Sequence, residues 1–448
     1  MKTTTVNLWS PLPPSPSGIA DYVAEVLPLL ARRFEVTAIV EDPASVEPAL
    51  AAGVRVCAAT SPPPADLDLY QIGNSPSHAF VYRAALARPG VVVLHEWSLH
   101  HLVLNETVER GDVPAYLREM RRAHGEAGSF VGRQVARALG GAILPALFPL
   151  NDRVLEQSLG VVALTRYVSE RAARRLPGRP VLHLPHHLAL PIDPLPTRAE
   201  ARQSLALPPD ALLVTAPGFA TATKGLDVGL RAVSRLVPRY PSLRLVIAGD
   251  HDPALGLNAL VHAAGLSGRV ILTGRLALPD FVRHLCAADV VSSLRFPSHG
   301  EISGALVRAL GVGRPVLVTA GTPASDEFPA GVVVPVDPGP AQEDELVALL
   351  DLLLSDPGLR ERISALARAH VVEHHDLAHT VAALALFLDG VAARKPEILA
   401  ALAADRAEEG TLLGFLMEEV RWGARDLGLP GAPLDLTPVL EGLLGGRA

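Results

Sequence analysis

Short, continuous runs of apolar residues, separated by stretches long enough for helices, constrain this chain more than any other feature. In the first half such runs fall at 4–8, 36–40, 69–72, 91–94, 161–164 and 181–184. The second half repeats the rhythm at 212–216, 243–248, 270–273, 290–294, 315–318 and 332–336. Runs of Val, Ile and Leu without polar alternation mark strands buried on both faces, and helices between them mark parallel sheets. Two such series predict an α/β chain of two Rossmann-like, doubly wound domains facing a central cleft.

The first domain is expected over residues 1–190, with a helical insertion at about 97–156. The proline-rich stretch 191–210 reads as a linker, because proline cannot join a central ladder and turns its neighbour away from helix. A second domain is expected over 211–375. Residues 376–448 read as helices that pack back on the first domain or mediate assembly.

Composition narrows the function. A chain of 448 residues with 49% hydrophobic content can bury a large core. Its 40 Lys+Arg against 47 Asp+Glu give a net charge of -7, which argues against nucleic acid as the main partner. Only two cysteines occur, Cys57 and Cys286, in different expected domains, which argues against a disulfide framework or a cysteine-rich metal site. The start, MKTTTVNLWS, lacks the apolar run of a secretory signal, and no uncharged apolar run reaches the ~18 residues of a membrane span. A cytoplasmic protein is expected, and abundant Ala, Arg, Pro and Leu with scarce Lys suit a GC-rich bacterial gene. Peripheral membrane contact through the apolar stretch 140–150, and self-association, stay open.

Polar residues gather where strands end. After the first run, a Pro/Ser/Gly loop leads to a helix opening at Gly18, whose amides suit a phosphate. His95 follows the run 91–94, beside Glu96, His100 and His101. His95 and His100 are five apart, so the zinc-protease spacing fails. Asn74 and His78 follow the run 69–72 and join the same edge. In the second half, Lys224 and Gly225 precede a helix in GFATATKGLD, where a lysine can neutralise a diphosphate. The loop after 290–294 carries Arg295, His299, Gly300, Glu301 and Ser303, with a helix opening at Gly304. Glu301 there can accept bonds from hydroxyls, or simply favour the helix dipole. The pairs Asp66/Asp68 and Asp250/Asp252 read as loop and edge residues, so no metal is expected.

As an ordered set, GFATATKGLD, RLVIAGD, VILTGRL, LPDFVRHLCAADVVSSLRFPSHGEISGALVRALGVGRPVLVT and GVVVPVDP resemble the second domain of family 4 retaining glycosyltransferases, which have the GT-B fold. The likeness covers most of 212–336; the first half matches through Gly18, His95 and VALTRYVSE. The resemblance implies a nucleotide diphosphate sugar as donor, no cofactor, and a glycan, lipid-linked or small-molecule acceptor. It implies that Lys224 contacts the diphosphate, Glu301 the transferred sugar, Ser303 and Gly304 a phosphate, Gly18 the diphosphate, and His95 the sugar. By their place after the strands rather than by the resemblance, Asn74, His78 and His100 are candidates for the acceptor or sugar side. Two positions depart from the pattern. The family's arginine is Phe219, and its second glutamate falls at Arg308 or Ala309, so Arg275, Arg295 and Arg308 are candidate substitutes. The departures also allow a homologue that binds nucleotide sugars without catalysis and acts as a partner, and an epimerase or hydrolase is a rival on the same fold.

Overall fold

The computed structural model describes residues 3–409. Each half forms one sheet. The first contains β1 (Thr5–Trp9), β2 (Glu35–Val40), β3 (Arg55–Ala58), β4 (Leu67–Ile72), β5 (Val91–Leu94), β6 (Gly160–Ala163) and β7 (Val181–His183). The second contains β8 (Leu213–Pro217), β9 (Arg244–Ala248), β10 (Val270–Leu272), β11 (Val290–Ser293), β12 (Val316–Thr319) and β13 (Val334–Val336). The orders are β3-β2-β1-β4-β5-β6-β7 and β10-β9-β8-β11-β12-β13. Every pairing between these strands is parallel.

The strand order reverses between β1 and β4 in one sheet and between β8 and β11 in the other. Crevices open at the carboxyl ends of strands at such switch points. The loops after β1, β4, β8 and β11 carry Gly18, Asn74, His78, Lys224, Arg295 and Glu301, which explains why polar residues cluster there.

β3 is absent from the sequence expectation. Its residues, Arg55, Val56, Cys57 and Ala58, are only partly buried at the sheet edge, so no continuous apolar run announces it.

Between β5 and β6 the chain makes the expected helical insertion, with helices His100–Glu106, Val113–Val135, Leu144–Leu147 and Asp152–Gln157. The long member breaks at His124 and Gly125. Tyr116 and Met120 anchor the insertion in the core, while Phe130, Leu139, Ile143 and Leu147 remain exposed.

The stretch 191–210, read as a linker, contains a helix fixed to the second domain. Thr197 and Glu200 form a capping box that starts the helix Arg198–Ser204. Arg202 of that helix donates to Asp289 Oδ2 at 2.8 Å and to the Ala287 carbonyl at 3.0 Å. Asp289 Oδ2 also accepts the Leu213 amide at 2.8 Å. The helix is thereby fastened to the second sheet. The sequence shows only the prolines of a linker, because the ion pair that holds this helix lies 87 residues away.

The helix Leu377–Glu409 returns to the first domain. Val381, Leu384, Ala385, Leu388, Val391, Ile398 and Leu402 form a buried stripe at helical spacing. Arg33 pairs with Asp389 at 2.8 Å, and Lys395 Nζ donates to the Asp66 carbonyl at 2.6 Å. By length and composition its portion Leu377–Ala404 is apolar enough to cross a membrane, although charged residues such as Asp389 and Arg394 interrupt its apolar run. Its ion pair and buried stripe bind it to the protein instead. The remainder of the expected C-terminal helices, 410–448, lies outside the described residues.

Candidate active site

The second domain supplies the cationic wall. β8 ends at Pro217, and Gly218 turns the chain at φ +82°. A Cβ on the neighbouring Gly249 would stand 2.7 Å from the Gly218 carbonyl, so that turn and the end of β9 require glycine to pass each other. Beyond the turn, Gly225 takes the left-handed conformation and caps the helix Leu226–Leu236. Lys224 lines a cavity with Gly218, Ser292, Ser293 and Arg295. Its ammonium donates to the Pro217 carbonyl at 2.9 Å. Burial, then the charge of Arg295, depress its pKa to about 7, against an upward pull from Glu301. Arg295 Nε meets Glu301 Oε1 at 3.0 Å. The other carboxylate oxygen accepts Ser298 Oγ at 3.2 Å and the His299 amide at 2.6 Å. With Lys224 protonated, two cations and one carboxylate share one edge of the sheet, which leaves a net positive charge there.

The first domain supplies a polar floor. Ser17 caps the helix Gly18–Leu30 by accepting the Ile19 amide at 3.2 Å, and its hydroxyl lies 3.5 Å from His78 Nε2. His78 Nδ1 reaches the Gln71 carbonyl at 2.9 Å. The Gln71 side-chain oxygen in turn lies 2.8 Å from His95 Nε2. Burial holds His78 down to about 4 and His95 to about 3, so both rings are neutral at ordinary pH. Tyr22 packs edge-on to His95, with centroids 5.0 Å apart. A Cβ at Gly18 would meet nothing within 4 Å, so that position leaves open space at the helix start rather than relieving a clash.

Several contacts bring the two walls together. Trp97 and Ser98 donate their amides to the His299 carbonyl at 2.7 and 3.2 Å. Thr165 Oγ1 donates to the Gly300 carbonyl at 3.1 Å. Gly300 sits at φ +89°, and a Cβ there would fall 2.8 Å from Trp97 Cβ, so only glycine lets this loop seat on the first domain. Arg275 donates to the Pro14 carbonyl at 3.0 Å, which puts it at the rim of the cleft. Ser303 precedes the helix Gly304–Gly311 without capping it by side chain, and a Cβ on Gly304 would crowd Arg308 and His186.

Three expectations about single residues change. His100 is buried, with Nδ1 2.6 Å from the Phe148 carbonyl and Nε2 2.9 Å from the Tyr116 hydroxyl, so both nitrogens tie the insertion together. Asn74 spends its side-chain oxygen on the Leu102 amide at 2.9 Å, inside the helix His100–Glu106. Arg308 turns from the cavity to Glu25 of the first domain at 2.6 Å, and Glu25 also holds His187 at 2.7 Å. To bind the donor in place of the family's second glutamate, Arg308 would have to leave that pair. Phe219, at the other departure, is exposed. Asp66 accepts Thr5, and Asp68 accepts Asn7 and Trp9, so this pair braces β1 against β4.

Sequence reasoning missed Gln71, Glu25 and His187. Gln71 left one signal, a polar side chain within an apolar strand. Glu25 left none, since on an amphipathic helix it reads as an ordinary surface carboxylate.

Residues 197–370 match the glycosyl transferases group 1 family. That match spans the second domain and leaves the first domain outside it. The D-inositol 3-phosphate glycosyltransferase of Kineococcus radiotolerans is 28% identical over 395 residues, covering 78% of this chain and 85% of the relative. The alpha-D-kanosaminyltransferase of Streptomyces kanamyceticus is 30% identical over 171 residues, covering 37% of this chain and 42% of that protein. The corresponding inositol phosphate enzyme of Streptomyces bingchenggensis is 29% identical, covering 49% of this chain and 50% of the relative. The matches to these last two relatives therefore span only about half of their length. Among solved structures, HepE of Anabaena in complex with UDP-glucose superposes with a TM-score of 0.60 at 16% identity, covering 86% of this chain and all of that one. WaaG, a glycosyltransferase involved in lipopolysaccharide biosynthesis, gives 0.58 at 17% identity with 86% of this chain covered. These likenesses carry the fold, which is GT-B. The group 1 match contains Phe219, Lys224, Arg275, Arg295, Glu301, Ser303, Gly304 and Arg308; Gly18, Asn74, His78, His95 and His100 lie outside it.

Proposed function

We propose that the chain is a metal-independent, retaining glycosyltransferase that moves a sugar from a nucleotide diphosphate sugar to a hydroxyl acceptor. The observation that carries this reading is that Lys224 and Arg295 line one cavity at the carboxyl edge of the second sheet, with Glu301 held against Arg295. Such a charge-deficient pocket suits a diphosphate.

In the reaction, the bond from the anomeric carbon to the diphosphate oxygen breaks and the bond to the acceptor oxygen forms on the same face. The acceptor's proton passes to the departing phosphate oxygen. Lys224 stabilises the charge that develops there, and one preorganised donor of this kind contributes roughly 2.7–4 kcal/mol. His95, neutral and buried, orients the sugar rather than acting as a proton acceptor for the whole step. Glu301 accepts hydrogen bonds from the sugar hydroxyls, a role supported by its fixed position against Arg295 and Ser298.

The test is turnover of UDP-, GDP-, ADP- and dTDP-sugars, followed by the anomeric configuration of the product. HepE is described with UDP-glucose, and a relative in Corynebacterium glutamicum is GDP-mannose-dependent, so these two donors come first. Transfer with the donor's configuration kept is expected, and an inverted product would remove the retaining mechanism.

Arg308 favours a second reading. Bound to Glu25 where the family pattern has a glutamate, it leaves room for a protein that holds nucleotide sugars without turning them over. Calorimetric binding of UDP or GDP without donor consumption would select it.

A further inference from the structure

We propose that Gln71 is a positioning residue that holds His95 in its Nε2–H tautomer, so that the ring offers the cleft a lone pair on Nδ1 and accepts a hydrogen bond from a hydroxyl of the donor sugar. The geometry fixes each step of the chain. A backbone carbonyl only accepts, so His78 Nδ1 must carry the proton that meets the Gln71 carbonyl at 2.9 Å. Nε2 of the neutral His78 ring is then an acceptor. The Ser17 hydroxyl, 3.5 Å away, can donate to it while accepting the Ile19 amide. This pins the backbone of Gln71 from one side.

The Gln71 side chain completes the chain toward His95. Its carbonyl oxygen lies 2.8 Å from His95 Nε2, which requires the proton on that nitrogen. A neutral ring then has no proton left for Nδ1. Gln71 itself is buried in β4, and its amide nitrogen has no hydrogen-bond partner among the described residues. A buried amide left without a partner is costly, and such exceptions gather at functional positions. A leucine would fill the site without that cost. The amide is retained, on this account, because of what its oxygen does to His95.

The inference rests on the transferase reading for the role of the sugar hydroxyl, but the tautomer itself does not. Two measurements keep these apart. Nitrogen-15 NMR of the full chain, labelled at histidine and assigned through loss of one signal set in His95→Gln, reads the tautomer directly. The Nε2–H form is expected, and the Nδ1–H form, as a reversed Gln71 amide would impose, overturns the proposal. In Gln71→Leu the His95 signals should move toward a mixture of tautomers, and kcat/KM for the donor should fall about tenfold, the scale of one lost hydrogen bond to a buried group. Gln71→Glu keeps an acceptor facing Nε2, so it should retain the tautomer, raise the His95 pKa, and restore part of the loss. Unchanged His95 signals in Gln71→Leu would reject the positioning role whatever the activity. A correct tautomer in a protein that consumes no donor would leave the positioning intact and remove only the transferase reading.

Discussion

Lys224 is the residue on which pH should act. Its ammonium, depressed to about 7 by burial and by Arg295, is protonated below that pH and largely neutral above it. A diphosphate favours the charged form, so binding should take up a proton, and affinity for a nucleoside diphosphate should weaken as pH rises between about 7 and 9. Calorimetry in buffers of different ionisation enthalpy measures the proton uptake; a flat affinity across that window would separate Lys224 from the phosphate. Lys224→Ala should lower turnover at least tenfold, about 1.4 kcal/mol or more of transition-state stabilisation. His100 gives the opposite pattern. Its substitution by alanine removes a buried ring and strands the Tyr116 hydroxyl, so stability in urea should drop by about 2–4 kcal/mol. Donor KM should change little, because both ring nitrogens are spent inside the insertion.

At the scale of elements, the helices Gly18–Leu30 and Gly304–Gly311 are joined by Glu25 and Arg308, whose side chains are 15% and 9% exposed. Removing Arg308 leaves a poorly solvated carboxylate beside His187. Arg308→Met should therefore destabilise the chain by about 3 kcal/mol, and Glu25→Gln combined with it by distinctly less than the sum of the single changes. A double-mutant cycle with no coupling would show that the pair is not an interdomain tie. The capping box at Thr197 makes a smaller contribution. Thr197→Ala should cost about 1 kcal/mol, read as a shifted denaturation midpoint, by loosening the helix Arg198–Ser204 from Asp289.

Across the whole molecule, both switch points open toward the same cleft, and the loops that fill it come from four strands in two sheets. A ligand that bridges the walls should therefore stabilise the chain as a unit. A nucleoside diphosphate at about a hundred times its Kd should add about 2.7 kcal/mol and raise Tm by a few degrees. The helix Leu377–Glu409 closes the structure by carrying the chain from the second domain back to the first. Its buried stripe shares a core with residues of both halves, so Leu388→Asp should destabilise both domains together rather than one alone.

The alternation of apolar runs determined the sheets in advance, since burial on both faces leaves a continuous signature that needs no partner to be read. Lys224, Arg295 and Glu301 were legible for the same reason: they follow the strands whose ends form the cleft. The edge strand β3 was not, because its half-exposed residues lack that signature. Only tertiary structure decided which polar groups line the cleft and which serve the scaffold. His95 and His100 are five residues apart and alike in sequence, yet one meets Gln71 at the cleft while the other is consumed by Phe148 and Tyr116. Arg308 was a donor candidate until Glu25, 283 residues away, claimed it. Hydrogen bonds and ion pairs between distant segments leave no periodic trace along the chain, so their partners emerge only when the fold brings them within reach.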